Sequence, residues 1–195
     1  MPTDHIEAQI AFLAEADRLK SVLRASRLID GSRHENSAEH SWHVMLYAFV
    51  LAEHAPEGVR VDRVLRMLLL HDIVEIDAGD APIHGKVDHA AMAAKEAAAA
   101  DRLFGLLPPS QAAEFRALWD EFEAAETPDA RYAKAIDRLQ TPIANLASGG
   151  GTWAEYSVTL EQMDARVGTP ITRGAPTLWD WLRPQIAAFF ARTDS

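Results

Sequence analysis

Apolar residues recur along the chain at steps of three and four, with few alternating runs. Over residues 5–25, Ile6, Ile10, Leu13 and Leu19 fall near one helical face, which Asp17 interrupts. The segment LIDGSRHENSA is rich in turn residues, and either Asn36 or Ser37 can cap the next helix. From about Ala38 to His54, the residues Val44, Leu46, Tyr47, Val50 and Leu51 predict a mostly buried helix that stops near Pro56 and Gly58. A third, strongly apolar helix is predicted from about Asp62 to His71, and GDAPIHG at 79–85 is a loop.

Beyond the loop, an Ala-rich helix at 87–107 has a face made by Met92, Leu103 and Phe104. Pro108 and Pro109 restart the chain as the helix SQAAEFRALWDEFEAAE. Thr127 and Pro128 open another, which runs to about Ser148 and ends at three glycines, 149–151. A shorter helix is expected around 159–167. LWDWLRPQIAAFFAR closes the chain, with Pro184 expected to kink or restart it. No run reads convincingly as a strand and no repeat is evident. The expectation is all-α: one helical domain over residues 1–195.

Composition narrows the chemistry more than the fold. There are no cysteines, so disulfides, thiolate metal sites and a cysteine nucleophile are excluded, which pushes any metal site towards His and carboxylate. With 19 basic and 29 acidic residues the formal charge is -10, which disfavours a nucleic-acid polymer as partner. No stretch approaches the roughly 20 apolar residues of a membrane span. The N-terminus lacks the pattern of a secretory signal, so a cytoplasmic setting is expected.

Several polar residues interrupt these apolar faces. Asp137 lies inside the stripe of Ala133, Ile136, Gln140, Ile143, Ala144 and Ala147, where an unpaired carboxylate is costly. A buried ion pair, with Arg138 for example, would satisfy it, and so would a bound cation. His71 stands three residues after Leu68 and seven after Val64, so it faces the core, and Asp72 adjoins it at the helix end. His40 falls in the first turn of its helix with His43 and Tyr47 on the same face, and spacing alone leaves either histidine as a ligand. Two imidazoles and two carboxylates from three segments suit a divalent transition metal that keeps positions open for water and substrate.

The text ENSAEHSWHV, then HDIVEIDAGDAP, then KAIDRLQ, preceded by LKSVLRASRLIDGSR, resembles the HD-domain metal-dependent phosphohydrolases, and among them the 5'-deoxynucleotidases. The similarity covers about residues 15–150, and the C-terminal segment 151–195 is expected to pack on that core. The resemblance implies an HD-type helical bundle holding one divalent ion (manganese, cobalt, iron, magnesium or zinc) on His40, His71, Asp72 and Asp137. It implies catalytic roles for Glu75 and Asp80, which orient the attacking water and assist the leaving group. Arg24 or Arg27 would hold the phosphate, with Lys86 a further candidate from the following loop. The nucleotidases follow that arginine with a Trp, where this chain has Ala25, a departure that bears on base and sugar specificity.

The expected reaction is removal of phosphate from nucleoside 5'-monophosphates, with deoxyribonucleotides first. A different reaction class, oxygenation at two irons, would need extra histidines such as His84 and His89, and a non-catalytic nucleotide-binding module is a third reading. Relatives of this fold are commonly homodimers, and LWDWLRPQIAAFFA offers an apolar surface for one. For Trp42 and Trp153, core packing is expected ahead of base stacking or a dimer contact.

Overall fold

A computed structural model of the chain describes residues 2–85 and 87–193. It is helical almost throughout, and buried apolar side chains from nearly every segment join in one contiguous cluster. Helix α1 spans Pro2–Ala16 and tightens into a 3-10 turn at Asp17–Ser21. The predicted helix over 5–25 stops short there. Leu23–Arg27 is instead a strand, β1, paired antiparallel with β2 at His34–Asn36. The hairpin turn is closed by Gly31 N–H donating to the Leu28 carbonyl at 2.8 Å, with Gly31 at a φ of 70° that glycine tolerates.

α1 also departs from its predicted face. Ile6, Ile10 and Leu13 are exposed, and the helix packs through Phe12, whose ring meets Phe104 and Phe115.

Three helices form the frame around the site: α2 (Ser37–Val50), α3 (Val61–Leu70) and α7 (Pro128–Ala147). Asn36 caps α2 in a full capping box: its side chain accepts from Glu39 N–H, and the Glu39 carboxylate accepts from Asn36 N–H. α7 opens on the Thr127 cap with Pro128 at its first position, as the sequence predicts. Asp129, buried in that first turn, accepts from Arg60 N at 2.7 Å and from Arg60 Nη2 at 2.7 Å, so the starts of α3 and α7 are tied together. At the other side Tyr132 Oη donates to the Leu51 carbonyl, holding the end of α2. The three segments that carry the candidate ligands are thus fixed to one another by polar contacts as well as by packing.

After α3 the chain makes a short turn of helix, α4 (Glu75–Ala78), and then the loop to α5 (His89–Phe104) and α6 (Pro109–Ala124). The three glycines 149–151 all have positive φ and do end α7. Short helices α8 (Thr152–Glu155), α9 (Leu160–Met163) and α10 (Thr169–Gly174) come next. α10 lies directly on α7: a Cβ at Gly174 would stand 2.0 Å from the Arg131 carbonyl oxygen, so only glycine permits that approach.

The last helix, α11 (Pro176–Thr193), runs through Pro184 without a break in the assigned helix. Pro184 is exposed, while Leu182 and Ile186 on either side are buried, so packing holds the helix across the missing N–H. This segment therefore spends its apolar face on its own chain, leaving Trp181 exposed. A larger uncovered apolar stripe lies on α2, where Trp42, Leu46, Phe49 and Val50 face outward. Trp42 is 61% exposed, contrary to the expected core position, whereas Trp153 is buried against Phe189 and Phe190. No helix among the described residues is long and apolar enough to cross a membrane.

Candidate metal centre

His40 comes from the first turn of α2, His71 from the residue ending α3, Asp72 from the next position and Asp137 from the middle of α7. Among the described residues, His40, His71 and Asp72 are the three whose donor atoms lie within 4.8 Å of one another. Asp137 Oδ1 joins them, 3.0 Å from His40 Nε2 and 3.6 Å from His71 Nε2. His71 Nε2 is also 3.0 Å from Asp72 Oδ1. Donors about 3 Å apart are spaced as neighbours around one ion with bonds of about 2.1 Å.

The imidazole of His71 tests whether a cation fits. Its Nδ1 is 2.8 Å from the Leu68 carbonyl, which can only accept, so Nδ1 carries the hydrogen and Nε2 presents a lone pair. That Nε2 is buried, close to two carboxylates and yet without a hydrogen-bond partner. A lone pair facing carboxylate oxygens is unsatisfied unless a proton or a cation stands between them. The donor set and its orientation fit a divalent metal.

Protonation in the metal-free state reflects the same crowding. Burial pulls the His71 imidazole down, but the charges of Asp72 and Asp137 outweigh it and carry its pKa up to about 9. Burial would raise the Asp137 carboxyl, yet the His40 and His71 imidazoles beside it and the nearby Arg138 hold it well below the ordinary range. Glu75 is pushed up to about 8 by burial and by the charge of Asp72, against the pull of Arg24. In metal-stripped protein, Glu75 and His71 both bind their protons more tightly folded than unfolded, between pH 4.5 and about 8 and between 6.5 and about 9. The stability they contribute is complete below the lower value and lost as the pH rises through the upper one. The melting temperature of metal-stripped protein therefore falls from pH 6.5 to 9; a melt series that is flat or rising over that window contradicts the assignment.

The cluster opens into a cavity of about 380 Å³, a volume ordinary for a small-molecule site. Arg24, Glu75, Asp80 and His84 line it together with Asp72 and Asp137. Arg24 Nη1 lies 3.2 Å from Asp72 Oδ2 and 3.7 Å from Asp80 Oδ1, and the surrounding carboxylates raise its pKa above the ordinary value despite burial. Arg27, three positions along β1 from Arg24 and across an irregularity in the strand register, is not among the residues that line the cavity. Glu75 Oε2 accepts from Ser37 Oγ at 2.5 Å, and Asp80 Oδ2 accepts from Ala25 N at 3.2 Å. Burial, the largest influence, raises the Asp80 carboxyl. Lys86 lies outside the described residues.

His84 and His89 also line the cavity, but neither belongs to a cluster of three or more possible ligands among the described residues. Burial, then Arg166 and Arg138, press the His84 imidazole down to about 4. The sequence reading missed Glu35, a buried carboxylate beneath Arg24 and His40.

These features define a helical domain built around a buried His/Asp cluster whose donors fit a divalent metal. The chain belongs to the HD domain family, whose model matches residues 16–179. It is similar to the crystal structure of a predicted metal-dependent phosphohydrolase from Magnetospirillum magnetotacticum MS-1, with 48% identity, 97% of each chain covered and a TM-score of 0.92. It is also similar to the 5'-deoxynucleotidase HDDC2 of Bos taurus, 26% identical over 67% of this chain and 63% of that protein. A 5'-deoxynucleotidase of Erwinia tasmaniensis is 28% identical over 77% of this chain and 81% of its own. The match to the bovine relative thus spans less than two-thirds of its length.

Proposed function

We propose that the protein is a metal-dependent phosphohydrolase that removes the phosphate from nucleoside 5'-monophosphates, deoxyribonucleotides foremost. The observation that carries this reading is the His40, His71, Asp72 and Asp137 cluster opening into the cavity beside Arg24. The names of the similar proteins support it. A divalent cation on those four side chains supplies Lewis acidity towards a phosphate oxygen and lowers the pKa of a coordinated water from 15.7 towards about 7.

The remaining steps belong to the chain. Arg24 meets the equatorial phosphate oxygens and offsets the charge that grows on them. Glu75, held by Ser37 Oγ, orients the attacking water and takes its proton. Asp80, held by Ala25 N–H, returns a proton to the leaving 5'-oxygen, so the products are the nucleoside and inorganic phosphate. Arg27, which does not line the cavity, takes no part.

The test is phosphate release by metal-stripped protein from a panel of ribo- and deoxyribonucleoside 5'-monophosphates, refilled in parallel with manganese, cobalt, magnesium, iron and zinc. Release that requires metal and is fastest with deoxyribonucleotides is expected. No release with any metal across the panel overturns the reading. The same proposal includes a homodimer, with the exposed stripe of α2 as the larger apolar surface available to it; light scattering that finds only monomer removes that part.

A further inference from the structure

Glu35 sits in β2 with 2% of its surface exposed, too buried to be a solvated surface acid. Its Oε1 accepts from Gln140 Nε2 at 3.0 Å, which anchors the carboxylate to α7 one turn beyond Asp137. Its Oε2 accepts from Ser26 Oγ at 3.4 Å. The same Oε2 faces two more nitrogens: His40 Nδ1 at 3.5 Å and Arg24 Nε at 3.7 Å. Those two are among the few buried side-chain nitrogens with no hydrogen-bond partner. One oxygen is therefore aimed at an unsatisfied nitrogen on a metal ligand and at another on the arginine that faces the phosphate position.

An ordinary buried ion pair does not account for this arrangement. A carboxylate kept only to neutralise Arg24 would engage the guanidinium fork, whereas Nη1 is directed at Asp72 and Glu35 meets the Nε edge. It would also have no reason to stand behind the His40 ring. His71 provides the contrast: there the Leu68 carbonyl fixes Nδ1 as the protonated nitrogen and frees Nε2. His40 also presents Nε2 to the cluster, and on its Nδ1 side the nearby acceptor is Glu35.

We propose that Glu35 is a positioning residue with two functions. It holds His40 as the Nδ1–H tautomer, with the Nε2 lone pair directed at the cation. It also sets the plane of the Arg24 guanidinium, so that Nη1 is presented to a phosphate oxygen. Metal occupancy and phosphate binding are thereby linked through one carboxylate. The inference rests on the metal and phosphate roles proposed for this site.

The two functions separate under substitution. Glu35→Ala removes the acceptor from both nitrogens. Glu35→Gln keeps an amide oxygen for His40 Nδ1–H but loses the negative charge opposite Arg24. Manganese binding by isothermal titration calorimetry should weaken about 10- to 100-fold in Glu35→Ala and change by less than about threefold in Glu35→Gln. In Glu35→Gln the effect should appear as a KM for the nucleotide raised about tenfold, with kcat changed less.

Nitrogen-15 imidazole spectra of the zinc-loaded wild type should show His40 carrying its hydrogen on Nδ1 with Nε2 as the ligating nitrogen, a readout that needs no variant to fold. The proposal is overturned by the opposite tautomer, by unchanged manganese affinity in a folded Glu35→Ala, or by equal loss in both variants. A wild type that takes up no manganese is a separate result: it defeats the metal reading itself, and this proposal with it.

Discussion

Asp72→Ala is expected to lower kcat/KM for phosphate release by more than about a thousandfold, equivalent to about 4 kcal/mol of transition-state stabilisation. The size reflects how many contacts converge on this one carboxylate. Oδ1 lies 3.0 Å from His71 Nε2, and Oδ2 lies 3.2 Å from Arg24 Nη1 and 4.0 Å from His40 Nε2. Alanine removes a proposed metal ligand and also the carboxylate that Arg24 Nη1 contacts. The fold should survive, because the side chain projects into the cavity wall while the backbone carbonyl of Asp72 still accepts from Glu75 N. Far-ultraviolet circular dichroism should be unchanged and manganese affinity strongly reduced. Full activity in a folded Asp72→Ala would show that the metal is bound elsewhere or is not needed.

The second large effect belongs to Arg24, and its signature has the opposite sign on the metal. Arg24→Ala is expected to reduce kcat/KM by about 100- to 1,000-fold, the range for losing one preorganised donor to developing charge. Arg24→Lys should recover only part, since an ammonium keeps the charge and loses the planar fork. Manganese binding, in contrast, should be undiminished or tighter in Arg24→Ala. The guanidinium is a buried positive charge beside Asp72 and Asp80, and its removal leaves those carboxylates freer to attract a cation. A parallel fall in activity and in metal affinity would place Arg24 among structural supports rather than at the phosphate.

The helices were legible in the sequence because their apolar stripes and caps are ordinary: Asn36 before α2, Thr127 and Pro128 before α7, the glycines after it. The candidate donors could be picked out because each is polar on an otherwise apolar face. The hairpin was not legible, for a physical reason. A strand announces itself by apolar alternation, whereas the inward face here carries Arg24, Ser26 and Glu35. The site had replaced the signal. Helical spacing would have kept Arg24 and Arg27 on one face, whereas only Arg24 lines the cavity. Gln140 was a visible polar interruption in the stripe of α7, but its partner Glu35 could not be inferred without the hairpin. α1 misled in the other direction, since its regular stripe of Ile6, Ile10 and Leu13 is left uncovered on this chain.

The spacing of the donors has a kinetic consequence. From His40 to His71 is 31 positions, and from Asp72 to Asp137 is 65. No early fragment of the chain, and no local hairpin or helix pair, contains all four. The loops between them must close before the last contacts form. An ion held by the full set therefore engages only the nearly native chain, after the rate-limiting barrier to folding. It should leave the refolding rate almost untouched and appear as slower unfolding, lengthening the lifetime of the folded protein without hastening its formation.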